Sequence, residues 1–341
     1  MRLFLIGLLA LATSDFLPAD ITPEHFAQAA HYSRTHGGVT LRVEQNGSVI
    51  DEDYAPGFSS STPHKIYSGT KSFIGVTALI AQQEGLLNLN ERACDTLTEW
   101  REDRRREITL NQLLSHTSGL DPDGDLIYPS RDQMAAAVRV HLIDPPGIRF
   151  HYGAVGYQAF GEILRRKLRR QGRTVEGYMR DRLFGPLGLH IADWKHDQAD
   201  NPLLHTGMEL STHDWAKFGE FLLNKGTYKQ KQLLDEQLLS LLFIEHESNP
   251  AYGMSFWLNR PLFFPLAQPI LDLQPAIDGD QIYPGGPNDL YAAIGSGKQR
   301  LYVIPSLNLV IVRFGKEVSF SDGDFLSRLL TGQPQPDAHT H

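Results

Sequence analysis

The sequence predicts an α+β fold, in which an antiparallel sheet is formed from N-terminal and C-terminal segments with flanking helices, and a mainly helical region is inserted between them. Two observations predict the sheet: one β-hairpin pattern lies near each end of the chain. The third observation is that the long stretch between them carries helical patterns. We therefore expect one domain over 20–332, with the sheet from about 39–66 and 288–332 and the helical region over about 67–287.

The first segment of the chain has the form of a secretory signal. Arg2 precedes an apolar run over 3–12, and the small residues of 12–14 suit signal-peptidase cleavage. The run is too short to span a bilayer as a permanent anchor. We expect residues 1–19 to be a signal peptide and the protein to be exported, to the periplasm or beyond. The alternative is a cytoplasmic protein in which this segment packs on the fold.

The N-terminal hairpin is marked by Asn46-Gly47, which interrupts an alternating pattern over 39–49. This dipeptide is the strongest short signal for a two-residue β-turn. It predicts paired strands over 40–44 and 48–53.

The inserted region begins with a run over 72–84 that is apolar on most faces and stops at Gly85, a typical helix C-cap. A helix that is apolar nearly all round is a buried one. Further helices are predicted over 110–115, 131–142, 156–168, 174–184, 212–224 and 235–242.

The C-terminal hairpin consists of two β-rich runs over 301–304 and 309–312, with a turn between them that begins at Pro305. A closing helix is predicted over 326–330. The last residues, 333–341, are polar and are expected to be a disordered tail.

Composition excludes several classes of function. The 341 residues carry a formal net charge of −8, so no global basic field would attract nucleic acid. The histidines show no H-E-x-x-H spacing, and the single cysteine, Cys94, allows no intramolecular disulfide and has acidic neighbours that disfavour a thiolate. We expect no metal, no organic cofactor, no nucleic-acid partner and no stable membrane span, and leave the oligomeric state open.

Ser68 and Lys71 are the first candidates for chemistry, in the segment Ser-Gly-Thr-Lys that opens the buried helix. Residues three apart share a helix face, so the ammonium can reach the hydroxyl. A serine needs an adjacent base, and burial at a helix N-terminus favours a neutral lysine. The alternative is that this segment is only the capped start of a helix. A lysine in an otherwise apolar helix, however, favours a functional role.

A third candidate is Tyr152, which lies just before the helix predicted over 156–168. Its phenol can supply a proton to a leaving group and exchange it with Lys71. Taken alone, a loop tyrosine that packs on the core would be the better interpretation.

Several segments, in order, resemble the β-lactamase-related serine hydrolases, which include class C β-lactamases, penicillin-binding D-alanyl-D-alanine peptidases and various esterases and amide hydrolases. The segment 108–120, ITLNQLLSHTSGL, is similar to a highly characteristic stretch of that family, and 68–89 to its nucleophile helix. The other similar segments are 146–164, 183–189, 208–226 and 252–257. The resemblance implies a β-lactamase/transpeptidase-like fold and a catalytic role for Ser68, Lys71 and Tyr152.

The resemblance also implies an acyl-enzyme on Ser68 and an oxyanion hole made by the Ser68 N–H and a second backbone N–H. We place the family's third motif at 295–297, with Gly297 and Lys298 as the oxyanion and substrate-binding residues and the Lys298 N–H as second donor. Because side chains alternate along a strand, the Lys298 side chain is expected to face away from that of position 295.

Two departures from the family pattern bear on the substrate. The family's Tyr-x-Asn is Tyr-Gly-Ala here, at 152–154, and its Lys-Thr-Gly is replaced by Gly-Ser-Gly. We therefore expect a serine hydrolase that cleaves an ester or amide in a small-molecule or peptide-like substrate. The alternatives are a catalytically silent ligand-binding relative and a true β-lactamase or D-Ala-D-Ala peptidase.

Overall fold

The computed structural model describes residues 20–262, 281–316 and 319–335. The predicted signal peptide, 1–19, lies outside the described residues, as do 336–341 of the predicted tail. The strands are β1 (Gly38–Gln45), β2 (Ser48–Tyr54), β3 (His64–Lys65), β4 (Ile191–Trp194), β5 (Met208–Leu210), β6 (Thr227–Tyr228), β7 (Lys231–Gln232), β8 (Trp257–Leu258), β9 (Tyr291–Gly295), β10 (Gln299–Ile304) and β11 (Leu309–Gly315).

The α-helices follow the same chain order. They are α1 (Pro23–Thr35), α2 (Thr70–Gln83), α3 (Leu110–Leu114), α4 (Gln133–Ala137), α5 (Val155–Arg169), α6 (Val175–Met179), α7 (Gly185–Leu187), α8 (Thr212–Leu223), α9 (Glu236–Ser240) and α10 (Asp322–Thr331). None of the helices within 20–262, 281–316 and 319–335 combines the length and apolar character needed to cross a bilayer.

The main sheet joins both ends of the chain, as the sequence predicts. Its six strands run in the order β2-β1-β11-β10-β9-β8, and all five neighbouring pairs are antiparallel. The N-terminal hairpin turns at Asn46 and Gly47, whose φ angles of 53° and 74° are those of the predicted tight turn. The α+β prediction is confirmed, and β8 adds a sheet strand from the inserted region.

Both faces of this sheet are covered, and the strands alternate accordingly. In β10, Leu301 and Val303 belong to the core shared with α2 and α8, whereas Tyr302 and Ile304 belong to the core shared with α1 and α10. The same period of two runs through β11. The sheet is therefore the middle layer of three, and α2, which carries the candidate lysine, is buried on its inserted-region side.

Several local elements differ from the sequence predictions. Helix α1 was not predicted, although Thr22 caps it and Pro23 occupies its first turn. The helix predicted over 131–142 is limited to α4, because the chain leaves the helix at Val138, whose carbonyl accepts bonds from the Trp100 indole and the Arg105 guanidinium. The small sheet β3-β5-β4 was also not predicted, since its strands span only two to four residues.

Candidate active site

Ser68 lies in a single 3₁₀ turn, Tyr67–Gly69, that leads directly into α2. The preceding residue, Tyr67, has a φ of 47°, in the left-handed region that costs a non-glycine residue about 1–3 kcal/mol. Thr70 holds this conformation: its hydroxyl donates to the Tyr67 carbonyl at 2.7 Å and accepts from the Met208 amide at 3.2 Å. Such strain is typical of functional sites, and here it presents the Ser68 side chain to a cleft.

Lys71 lies in the first turn of α2 and is 3% exposed. Its Nζ donates to Ser68 Oγ at 3.3 Å and to the His205 carbonyl at 3.0 Å. Burial lowers the pKa of Lys71 from 10.5 to about 7, because the charged form loses its hydration. The structure therefore brings together the predicted nucleophile and a lysine that is partly neutral near neutral pH.

Tyr152 approaches the same pair from the loop before α5. Its ring centroid lies 4.5 Å from Lys71 Nζ. Burial raises the pKa of Tyr152 to about 12, while a hydrogen bond with Ser68 acts in the opposite direction. At neutral pH the side chain is consequently a phenol, which can donate a proton but is not a base.

The loop that carries Tyr152 is held in position by contacts on both sides of that residue. The His151 ring bonds the Asp144 carboxylate at 2.7 Å, and the His151 amide donates to the His116 carbonyl at 2.7 Å. On the other side, a Cβ at Gly153 would lie 2.3 Å from the Pro122 carbonyl oxygen, so a larger residue has no room there. The position of the phenol is thus set by the surrounding backbone.

A buried histidine, His116, packs behind the phenol. Its ring centroid is 4.5 Å from that of Tyr152, and its backbone has a φ of 60°. Burial, with a contribution from the Lys71 charge, holds the pKa of His116 well below its usual range, so the ring is neutral. The structure thus places His116 in contact with the candidate acid.

The opposite wall of the cleft is the turn between β9 and β10. Strand β9 ends at Gly295, where a Cβ would lie 2.0 Å from the Ile66 carbonyl oxygen. Gly297 and Lys298 follow in the turn, with φ angles of 72° and 61°. The expectation that strand alternation directs Lys298 away from position 295 is therefore wrong in its premise, because the two positions do not share a strand. The predicted role of the Lys298 N–H stays a prediction.

These walls enclose a cleft of about 930 Å³. All five residues singled out in the sequence, Ser68, Lys71, Tyr152, Gly297 and Lys298, line it. The cleft is also lined by Lys65, Ala154, His205, Gly295 and Ser296. The volume is large enough for a drug-sized substrate.

Sequence reasoning missed the partners that complete the site. His205 supplies the carbonyl that binds Lys71, but it lies 134 positions downstream of that lysine and carries no local motif. The Tyr157 hydroxyl lies beneath the site and bonds Ser255 Oγ at 2.7 Å and the Leu114 carbonyl at 2.9 Å. Tyr157 lies at the start of α5, close in sequence to the Tyr-Gly-Ala segment at 152–154. This proximity is the only feature of the sequence that could have indicated a role for it.

Solved structures with a similar fold include proteins titled as hydrolases, as β-lactamases and as penicillin-binding protein homologues. A putative 6-aminohexanoate-dimer hydrolase from Bacillus anthracis superposes with a TM-score of 0.70 at 18% identity, over 89% of this chain and 79% of that one. A β-lactamase/D-alanine carboxypeptidase from Pseudomonas syringae gives a TM-score of 0.67 at 18% identity, over 91% and 99%. At these identities the likeness establishes the fold.

Relatives are also found by sequence. Protein flp of Staphylococcus aureus (strain MW2) is 27% identical over 284 residues, which are 71% of this chain and 55% of the relative. Penicillin-binding protein 4 of Amycolatopsis lactamdurans is 31% identical over 144 residues, or 39% of this chain and 37% of the relative. The chain thus spans about half or less of the length of these relatives. The family model described as Beta-lactamase matches residues 24–325, nearly the whole described fold, and the chain therefore belongs to the β-lactamase family.

Proposed function

We propose that this protein is a serine hydrolase that cleaves an ester or amide through an acyl-enzyme on Ser68. The observation that carries the proposal is the contact of 3.3 Å between Lys71 Nζ and Ser68 Oγ, made by a lysine whose pKa burial lowers to about 7. A serine hydroxyl is a weak nucleophile and requires a base within hydrogen-bond reach. The family membership supports the same assignment.

Acylation starts with the neutral amine of Lys71. As Ser68 Oγ attacks the substrate carbonyl carbon, its proton passes to Lys71 Nζ, which becomes an ammonium. The carbonyl π electrons move to the oxygen, and backbone N–H groups stabilise the resulting oxyanion. The Ser68 N–H is one expected donor, and the turn between β9 and β10 provides the other.

Collapse of this intermediate needs an acid, and Tyr152 supplies it. The bond to the leaving oxygen or nitrogen breaks while that atom takes the phenolic proton. The Lys71 ammonium, 4.5 Å from the Tyr152 ring, then returns its proton to the phenolate. Both groups recover their starting states, and the acyl group remains on Ser68.

Water completes the cycle in a second pair of steps. Neutral Lys71 takes a proton from a water molecule as the water oxygen attacks the acyl carbon. The bond between the acyl carbon and Ser68 Oγ then breaks, Oγ takes the proton from the Lys71 ammonium, and the acid product departs. No cofactor takes part in this sequence of steps.

The cleft favours simple esters and amides over β-lactams. A lysine in place of Gly295 would clash with the Ile66 carbonyl, so this backbone has no room for the lysine of a Lys-Thr-Gly motif at that position. Ala154, which lines the cleft where the family has an asparagine, has no carboxamide to grip a substrate amide. These features argue against the alternative of a true β-lactamase or D-Ala-D-Ala peptidase.

The remaining alternative is a silent relative that binds a ligand without turnover. The assembled contacts of Ser68, Lys71 and Tyr152 argue against it, because ligand binding alone requires no neutral lysine. Labelling with a fluorophosphonate probe, followed by mapping of the labelled peptide, tests the proposal. We expect the label on Ser68 and none on Ser68→Ala; a folded Ser68→Ala variant with wild-type hydrolysis would refute it.

We further propose that the protein is exported, on the strength of the apolar run over 3–12 and its small-residue cleavage site. Its substrate would then be a small ester or amide outside the cytoplasm.

A further inference from the structure

The carbonyl groups of the turn between β9 and β10 are held by buried side chains behind the turn. Ser296, Gly297 and Lys298 line the cleft, whereas the donors that bind their carbonyls do not. These donors, Gln299 and Arg313, are 1% and 0% exposed. The turn is thus bonded on its inner side and open to the cleft on its outer side.

Gln299 makes the largest share of these bonds. Its Nε2 donates to the carbonyls of Ser296 at 3.1 Å, Gly297 at 2.8 Å and Gly315 at 2.8 Å. Its Oε1 accepts from the Gly315 amide at 3.0 Å. One carboxamide therefore ties the turn to the neighbouring strand β11, and both its donor and its acceptor are used.

Two arginines continue the same support. Arg313 Nη1 donates to the Lys298 carbonyl at 2.8 Å, and Arg300 Nη1 donates to the Gly295 carbonyl at 3.4 Å. Arg300 is fixed in turn by a buried ion pair with Asp322, at 2.6 and 3.0 Å. Every carbonyl from 295 to 298 consequently has a side-chain donor behind it.

The direction of these carbonyls sets the direction of the amides. In a planar trans peptide, the carbonyl of one residue and the N–H of the next point in opposite directions. Because the Gly295, Ser296 and Gly297 carbonyls are bound from behind, the N–H groups of Ser296, Gly297 and Lys298 point to the cleft side. Along β9, the neighbouring strand β8 pairs with Tyr291 and Ala292 and does not extend to 293–295.

We propose that Gln299 is a positioning residue that holds this turn so that the Ser296 N–H is the second oxyanion donor. Ser296 directly follows Gly295, where the chain touches the Ile66 carbonyl two residues before the nucleophile. The Ser296 N–H is thus closer along the chain to this contact than that of Lys298. The inference rests on the proposed function, since it assigns a role within acylation of Ser68.

The first test replaces Gln299 by methionine, which fills the space but can neither donate nor accept these bonds. We expect kcat to fall by about 10-fold to 100-fold with KM changed little, as part of the effect of losing one oxyanion donor. Inhibition by a small alkylboronic acid, whose serine adduct is tetrahedral and anionic, should weaken by a similar factor. Wild-type kcat in a folded Gln299→Met variant would overturn the proposal.

Gln45→Met is the matched control. Gln45 is also buried in the main sheet, and its carboxamide also bonds backbone on both sides, the Leu307 carbonyl at 3.2 Å and the Ile21 amide at 3.3 Å. It lies outside the cleft, so its loss should lower the melting temperature and leave kcat and boronic-acid inhibition unchanged. An equal loss of kcat in both variants would mean that Gln299 acts only through stability, and would also overturn the proposal.

A second pair of variants tests the donor without disturbing the network. Ser296→Pro removes the N–H itself, whereas Ser296→Ala keeps it. Ser296→Ala is the matched reference for loss of the side chain, and relative to it we expect a further loss in kcat of about 10²-fold or more for Ser296→Pro. Wild-type kcat in Ser296→Pro would refute the donor assignment, while covalent labelling of Ser68 in that variant would show that the proposed nucleophile stands independently.

Discussion

The pH dependence of acylation tests the role of Lys71 most directly. Lowering its pKa from 10.5 to about 7 corresponds to about 5 kcal/mol in favour of the neutral amine. At pH 7 roughly half of the molecules then carry a neutral Lys71, compared with about one in 3000 for an ordinary lysine. Burial thus increases the concentration of the active base by about three orders of magnitude at neutral pH.

The direction in which the acylation rate changes with pH follows from the role of the Lys71 amine as a base. Acylation requires neutral Lys71, so the rate should rise about tenfold per pH unit well below pH 7, bend near pH 7 and level off above about pH 8. Tyr152 adds no falling limb in this range, because its pKa is about 12. The rate constant for fluorophosphonate labelling, measured between about pH 5 and pH 9, reports this step without interference from an ionising leaving group.

Two arginine variants provide the comparison. Lys71→Arg should lose about 10²-fold to 10⁴-fold in labelling rate, because an arginine does not release its proton near neutral pH. Lys65→Arg is the control, since Lys65 also lines the cleft but is half exposed and lies 3.8 Å from Glu209. A labelling rate that rises without a bend to pH 9 would show that Lys71 keeps an ordinary pKa, and a flat profile would exclude it as the base.

Three further predictions concern the acid, the substrate and the N-terminus. Tyr152→Phe should lower kcat by orders of magnitude, and the double variant with Lys71→Ala should be little worse than the poorer single variant, because the two exchange one proton; additive losses in steady-state kinetics would contradict this. Short-chain p-nitrophenyl esters should be turned over much faster than nitrocefin, and the reverse ranking would mean that other groups replace the missing asparagine and lysine. Protein from its native host should begin near Asp15 or Asp20 by N-terminal sequencing, and an intact Met1 on the folded protein would rule out the signal peptide.

The sheet was predictable where local signals are strong. Asn46-Gly47 identifies one hairpin by itself, and the turn that begins at Pro305 identifies the other. The edges of the fold were not predictable in this way, because strands such as β8, with two residues, are defined by a neighbour that is distant in sequence. Helix propensity did not predict α1 either, because the sequence signal for this helix is confined to its cap at Thr22 and the proline that follows.

In the candidate site, too, contacts between residues close in sequence were predictable, and contacts between distant residues were not. Ser68 and Lys71 are three residues apart, so helix geometry alone predicts their contact. The carbonyl of His205 and the carboxamide of Gln299 act on the site through contacts that only the tertiary structure creates. The position of Lys298 shows the limit of pattern arguments: an alternation rule applies only while the strand continues, and the sequence did not reveal that β9 ends at Gly295.

The joining of both chain ends in one sheet has a consequence for the order of assembly. Gln45 bonds the Leu307 carbonyl, 262 positions downstream, and β1 pairs along its length with β11. Contacts this distant in sequence require closure of a very long loop, which makes them slow to form. The nucleophile turn is synthesised before its facing wall at 295–298, which follows it along the chain. A nascent chain therefore cannot hold the complete cleft until synthesis has passed β11.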